Sequence, residues 1–208
     1  TPDANANGQD SFTLSVTDDT ETTTKTINVS IAAVNDAPTG SASASLANGA
    51  EDTAYTVSIT DLTAGFGDVD GDTLSVKDLT ASSGATAVRN GDTSYTITPA
   101  TNYNGTVTLT YTVTDGKGGD VTGVTRSFTL DAVNDAPTLT TTTTLSTTED
   151  TATAAIAFAG ADIDGDTLTY SFSDPAKGSV TDNGNGTFTY TPDANANGQD
   201  SFTLSVTD

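Results

Sequence analysis

The sequence TPDANANGQDSFTLSVTD fills positions 1–18 and fills positions 191–208 again, 190 positions later. A weaker copy, TPATNYNGTVTLTYTVTD, fills 98–115. Self-similarity at a fixed period constrains a fold more than any composition does, because each copy must be one structural unit that tolerates neighbours like itself. Other blocks recur in the same order. Val34-Asn35-Asp36-Ala37-Pro38-Thr39 returns as Val133-Asn134-Asp135-Ala136-Pro137-Thr138, with the prolines 137 − 38 = 99 positions apart. EDTAYTVSI (51–59) is answered by EDTATAAIA (149–157), and DVDGDTLSV (68–76) by DIDGDTLTY (162–170). A spacing near 100 residues is the size of one small domain. The Asn-Asp-Ala-Pro stretches therefore read as joints. The divisions are 1–37, the last two strands of a preceding repeat; 38–136, a complete repeat; and 137–208, a repeat lacking its last strand.

Between the joints, apolar residues alternate with threonines at period two, which is the strand period. The clearest run places Val107, Leu109, Tyr111 and Val113 on one side. In the middle repeat, strands are predicted near 41–46, 54–59, 73–76, 86–89, 94–98, 107–113 and 122–133. Asn90-Gly91 and Asp115-Gly116 are hairpin signals. No helical period is evident. Seven short strands in roughly 95 residues match an immunoglobulin-like sandwich. The fold class expected is all-β, with tandem immunoglobulin-like, cadherin-like seven-strand β-sandwich repeats in an extended array.

The chain carries 28 Asp+Glu against 6 Lys+Arg, a formal charge of −22, and no His, Cys, Met or Trp. That balance argues against nucleic acid, whose binding needs Lys and Arg to replace counter-ions. It also argues against anionic membrane surfaces. No run is apolar enough to insert in a membrane as a helix. Catalysis has little support, since His and Cys are missing and the Asp pairs lie in repeated turns. Without cysteine no disulfide can staple small domains, and a bound metal is the substitute expected.

Alternating strand direction sends the loops to two poles. Asp68, Asp70 and Asp72 (second-to-third loop) and Asp115 (sixth-to-seventh loop) join Asn35 and Asp36 at the upper pole. Glu51 and Asp52, with Asn102 and Asn104, fall at the lower pole, on the side of Asn134 and Asp135. The third repeat supplies Asp162, Asp164, Asp166 and Asp208 from above, and Glu149 below. The second joint should thus collect oxygen ligands from one domain's lower pole, the joint and the next domain's upper pole. The first joint should be less complete, since only Asp3, Asn5 and Asn7 stand above it. Hard oxygen donors without His or Cys favour Ca2+ over zinc or copper. An EF-hand is excluded, because its twelfth loop position holds Leu79 or Ser173 and no helices flank it. Asn102, Asn104, Asn195 and Asn197 are read as turn residues.

These blocks resemble cadherin repeats. Glu after the first strand, Asp-x-Asp after the second, Asp-Gly after the sixth and an Asn-Asp-x-Pro joint match that family's calcium ligands in order. They resemble more closely the cadherin-like and immunoglobulin-like tandem repeats of giant secreted bacterial RTX adhesins, many exported by type I secretion. The resemblance implies calcium-bound, extracellular modules on the bacterial cell surface, working in adhesion and biofilm. Their partners would be neighbouring repeats of the same chain. Two departures stand out. Thr-Pro-x-x-Asn-x-Asn-Gly replaces the cadherin Asp-Arg-Glu block, and Asp131 corresponds to Ala32 in the preceding repeat. The function expected is a calcium-rigidified spacer holding distal binding domains away from the cell, with direct adhesion to glycan, protein or a second copy as the alternative. The unmatched end strands also allow head-to-tail strand exchange between chains.

Overall fold

The computed structural model describes residues 1–82 and 84–208. The chain forms two compact units, Thr1–Ala132 and Val133–Asp208. Each is described by itself.

The first unit opens with a hairpin of β1 (Gly8–Thr17) and β2 (Thr22–Ile31), paired antiparallel from Gly8↔Ile31 to Thr17↔Thr22. The middle repeat follows with β3 (Thr39–Gly40), β4 (Gly49–Ala50), β5 (Tyr55–Ser58), α1 (Ile59–Thr63), β6 (Phe66–Gly67), β7 (Ser75–Ala81), β8 (Ala85–Asn90), β9 (Ser94–Pro99), β10 (Gly105–Thr114) and β11 (Asp120–Asp131). One sheet has the order β4-β11-β10-β7, and β5-β9-β8 and the short pair β3-β6 form the others. Every ladder is antiparallel except β4 with β11, which run parallel. This is the two-sheet arrangement of an immunoglobulin-like sandwich.

The core forms where the inward faces meet. Val107, Leu109 and Val113 are wholly buried and Tyr111 is 1% exposed, as the period-two reading requires. Val57, Ile97, Val76 and Leu130 pack with them. Each such side chain contributes roughly 1.5–3 kcal/mol on burial. The alternation is broken at one place, where the β10 register shifts between Tyr111 and Val113 and Thr112 is buried as well.

Two expectations for this repeat are corrected. No strand forms over 41–46. Ala42, Ala44 and Leu46 do alternate inward, but among the described residues only Ser41 and Ser43 donate across, to the carbonyls of Gly65 and Ala64. An extended segment with two such bonds makes no continuous ladder, and β3 and β4 flank it as short pieces. The strand predicted to run to 59 stops at Ser58, and a helical turn, α1, follows. Ser58 caps it, its Oγ accepting from the Asp61 N–H at 3.0 Å. Leu62 on this turn is fully buried. The Tyr111 hydroxyl donates to the Leu62 carbonyl at 2.8 Å, and the buried Arg126 donates to the Ala64 carbonyl at 3.0 Å. A cation at the carbonyl end of a helical turn is favourable.

The second unit has six strands, β12 (Thr138–Thr141), β13 (Ile156–Ala161), β14 (Thr169–Phe172), β15 (Gly178–Asp182), β16 (Thr187–Pro192) and β17 (Leu204–Thr207). They form a sheet of order β12-β13-β16-β15 and a pair β14-β17. Its centre is aromatic. Phe158 and Phe188 are buried, with Tyr170, Phe172 and Phe202 at ring distances of 4.9–5.8 Å from one or the other.

Candidate metal centre

In the first unit, Asp68, Asp70 and Asp72 sit on the turn between β6 and β7, and Asp115 directly follows β10. The Asp68 Oδ1 accepts from the Asp70 N–H at 2.9 Å and the Asp72 N–H at 3.3 Å, which folds the Asp-x-Asp-Gly-Asp stretch back on itself. Gly71 in this turn has φ +79°, a conformation that side chains disfavour. Asp115 is held from its other side. Its Oδ1 accepts from the Lys117 N–H at 2.7 Å and the Gly119 N–H at 2.9 Å. A Cβ on Gly119 would lie 2.2 Å from Asp115 Oδ2 and 2.6 Å from Ala37 Cα, so only glycine permits this approach. Backbone turns thus fix the positions of these carboxylates.

The joint residues close the group. Asn35 Nδ2 donates to Asp115 Oδ2 at 2.7 Å, and the Asp36 N–H donates to Asp70 Oδ2 at 2.7 Å. The Asn35 amide, then the loop N–H groups, hold the Asp115 carboxyl below its ordinary value. One carboxylate oxygen from each of Asp68, Asp72 and Asp115 lies within 4.8 Å of the others. Two of the oxygens here, Asp68 Oδ2 and Asp72 Oδ2, are buried with no hydrogen-bond partner among the described residues. Buried polar atoms are ordinarily satisfied. Calcium takes 6–8 oxygens at 2.3–2.6 Å, and three carboxylates at this spacing with two oxygens unspent fit it. The other Asp72 oxygen, Oδ1, contacts the Lys117 ammonium at 2.5 Å.

At the opposite pole of the same repeat, Glu51 is 1% exposed. Its N–H donates to the Asp131 carbonyl at 3.0 Å, and Asn104 Nδ2 donates to its Oε2 at 3.3 Å. Asp52 has φ +54° and its Oδ1 accepts from the Asn102 N–H at 2.9 Å, so it serves a turn. Asn102 and Asn104 both act in hydrogen bonds to this acidic pair.

The second unit repeats much of this. Asn134 Nδ2 donates to Asp208 Oδ2 at 2.7 Å, the Asp135 N–H to Asp164 Oδ2 at 2.8 Å, and the Asp166 N–H to Asp162 Oδ1 at 3.1 Å. Asp162 Oδ2 is again buried without a partner among the described residues, as is its counterpart Asp68 Oδ2. Asp150 Oδ1 accepts from the Asn195 N–H at 2.8 Å, matching Asp52 and Asn102. Glu149, unlike Glu51, is exposed. The three-carboxylate group among the described residues lies at the first joint, where the sequence predicts the poorer ligand supply. That expectation concerns what stands above the joint; the group of Asp68, Asp72 and Asp115 lies below it, where the sequence places these residues together.

Lys117, which touches Asp72, is the contact of this group that sequence reasoning missed. Its signal was the scarcity of cations, six in the whole chain, with one of them two positions after a predicted ligand. Among the described residues no helix is long and apolar enough to cross a membrane.

Comparison with known proteins divides the chain at the second joint. Residues 34–131 match the model of a cadherin-like domain, and residues 134–208 match that of a bacterial Ig domain. No curated protein matches. An endo-fucoidan hydrolase, MfFcnA4, from glycoside hydrolase family 107 is similar over 99% of this chain and 32% of its own, at 18% identity and a TM-score of 0.39. Domains 4–9 of the surface layer protein SbsC are similar over 94% of this chain and 33% of theirs, at 14% identity and a TM-score of 0.30. The chain spans about a third of the length of each, and neither likeness bears on activity. Domains of the two matched kinds are typically non-enzymatic. The chain carries a cadherin-like domain followed by a bacterial Ig-like domain, both immunoglobulin-like β-sandwiches.

Proposed function

We propose that this chain is a calcium-binding extender of a bacterial cell-surface adhesin, which holds distal binding domains away from the cell. The observation that carries the reading is the pair of buried, unpartnered oxygens, Asp68 Oδ2 and Asp72 Oδ2, beside Asp115, with Asp162 Oδ2 repeating the feature in the next repeat. A chain of formal charge −22 gains from any ion that neutralises such a group. The ligand sets would be Asp68, Asp70, Asp72 and Asp115 with Asn35 and Asp36, and Asp162, Asp164, Asp166 and Asp208 with Asn134 and Asp135. Glu51 and Glu149 are the lower-pole candidates, and Asp52 is proposed only as their turn-forming neighbour.

The bound ion would supply positive charge at the pole. The residues do the rest. Asn35 and Asp36 already hydrogen-bond to the upper pole of the cadherin-like domain, and Asn134 and Asp135 to that of the Ig-like domain. Each joint is therefore fastened to the domain that follows it. Neutralising the carboxylates would tighten that attachment and leave less freedom in the linking segment. Binding to the folded state alone adds about 2.7 kcal/mol of stability at a hundredfold excess over Kd. Calorimetric titration with calcium, paired with melting and small-angle scattering in calcium and in chelator, tests the reading. Saturable binding, a raised melting midpoint and a narrower distribution of dimensions are expected. No heat and unchanged melting would remove calcium from the account.

A further inference from the structure

Three carboxylates crowd the upper pole of the cadherin-like domain, and among the described residues the ammonium of Lys117 pairs with one of them. The Lys117 ammonium contacts Asp72 Oδ1 at 2.5 Å. Asp72 is only 12% exposed in its side chain, whereas Lys117 is 60% exposed along its own. Lys117 therefore stands in solvent and leans its charged end onto a nearly buried acid. Its backbone is fastened separately, by the N–H that donates to Asp115 Oδ1 at 2.7 Å. The loop can keep its place while the long side chain swings away, since four rotatable bonds separate the ammonium from the main chain.

The second sequence copy of this loop lacks the device. Val113-Thr114-Asp115 is followed by Gly116-Lys117, but Val16-Thr17-Asp18 is followed by Asp19-Thr20-Glu21. The two loops also differ in length, 115–119 against 18–21, so a lysine after Val-Thr-Asp belongs to this copy and not to the repeated block. A cation at this position answers the particular charge of the group it touches.

We propose that Lys117 is a tethered counter-ion for the Asp68–Asp72–Asp115 group, one that holds the pole together without metal and is released to solvent when a divalent cation takes its place. The inference rests on the calcium reading above for the identity of the displacing ion. Two consequences follow from one residue. In the metal-free domain the ammonium offsets part of the repulsion among three carboxylates. In the loading reaction it is a competitor, because its ammonium already neutralises the Asp72 carboxylate whose free Oδ2 would ligate, and it repels a second cation arriving there.

The test uses the full chain with K117Q, K117R and Asp68→Asn, each titrated with calcium chloride and each melted in chelator. Lys117 is exposed, so K117Q should fold. Expected for K117Q is a calcium Kd lower by about twofold to fivefold at the step that Asp68→Asn abolishes, the range of a partly exposed ion pair. The same variant should melt earlier than wild type in chelator and lose that deficit in saturating calcium. K117R, which keeps the charge, should stay near wild type in both. Equal calcium affinity for K117Q and wild type would overturn the competitor role while leaving calcium binding intact. Weaker binding by K117Q would overturn it too, since the lysine would then support the site. An unchanged melting midpoint in chelator would overturn the counter-ion role. No calcium heat from any variant would overturn the calcium reading itself, and displacement with it.

Discussion

The same eighteen residues occupy two environments, and a close relative of them occupies a third. In the opening hairpin Phe12, Leu14 and Val16 are 57%, 61% and 68% exposed. Their identical counterparts Phe202, Leu204 and Val206 are half-buried in the Ig-like domain. At the corresponding places of the cadherin-like domain, Leu109, Tyr111 and Val113 are at most 1% exposed. Strand length varies as well. Gly8–Thr17 is one continuous strand against β2, while the matching Gly198–Thr207 is a strand only over Leu204–Thr207, against β14. Local sequence sets an extended, alternating conformation in every copy. The neighbours decide how much of it becomes ladder and how much becomes core.

The largest expected effect breaks or confirms this directly. Leu109→Ala should cost about 2–5 kcal/mol in the cadherin-like domain, the ordinary range for a buried leucine. Leu204→Ala, at a half-buried place in the Ig-like domain, should cost about 1 kcal/mol. Urea unfolding of both variants in the full chain checks the pair, and equal costs would mean that the two environments do not differ in energy. A middling effect is expected where the domains differ in chain length. From Glu51 to Asp68 is 68 − 51 = 17 positions, but from Glu149 to Asp162 is 162 − 149 = 13. The four extra residues are taken up by α1. Ser58→Ala removes its cap and should cost about 1 kcal/mol, confined to the cadherin-like domain's transition. Loss spread over both transitions would show that the turn is not a local insertion.

The smallest effect concerns charge. All three ion pairs among the described residues lie in the cadherin-like domain, Lys77–Asp120 among them at 2.7 Å. Lys77 holds the Asp120 carboxyl below its ordinary value, and Asp120 raises Lys77. A lowered carboxyl contributes fully above the ordinary carboxylate range and loses its contribution as pH falls through the lowered value. A raised lysine contributes up to its ordinary value and loses its contribution as pH climbs through the raised one. The stability difference between wild type and D120N should therefore be level through neutral pH and close at both extremes. A difference that grows toward acid pH would contradict the assignment.

Much of this was legible in the sequence because repetition exposed it. Register between the copies placed Asp68, Asp70, Asp72 and Asp115 in loops that share a pole, and Asn35 and Asp36 beside them, which the hydrogen bonds among these residues reproduce. Period two identified the core face of β10. What the sequence hid was of two kinds. Residues 41–46 alternate correctly but lack a partner strand along their length, and alternation carries no information about partners. The turn α1 is too short for a helical period to register, although the Ser58-x-x-Asp61 cap and the four extra residues marked the place. Lys117 was hidden for a different reason. Its meaning depends on which acid its side chain reaches, and spacing along the chain does not say that.

The parallel contact between β4 and β11 has a mechanical meaning. Leu130 and Asp131 align with Gly49 and Ala50, and the Glu51 N–H extends the contact to the Asp131 carbonyl. β4 lies near the start of the cadherin-like domain and β11 at its end. Tension applied to the two ends of the domain pulls these strands past each other along their length. Their hydrogen bonds run across that direction, so the load falls on all of them together and none can be peeled away first. The same few bonds that close the sandwich place its resistance to stretching at the seam between β4 and its last strand.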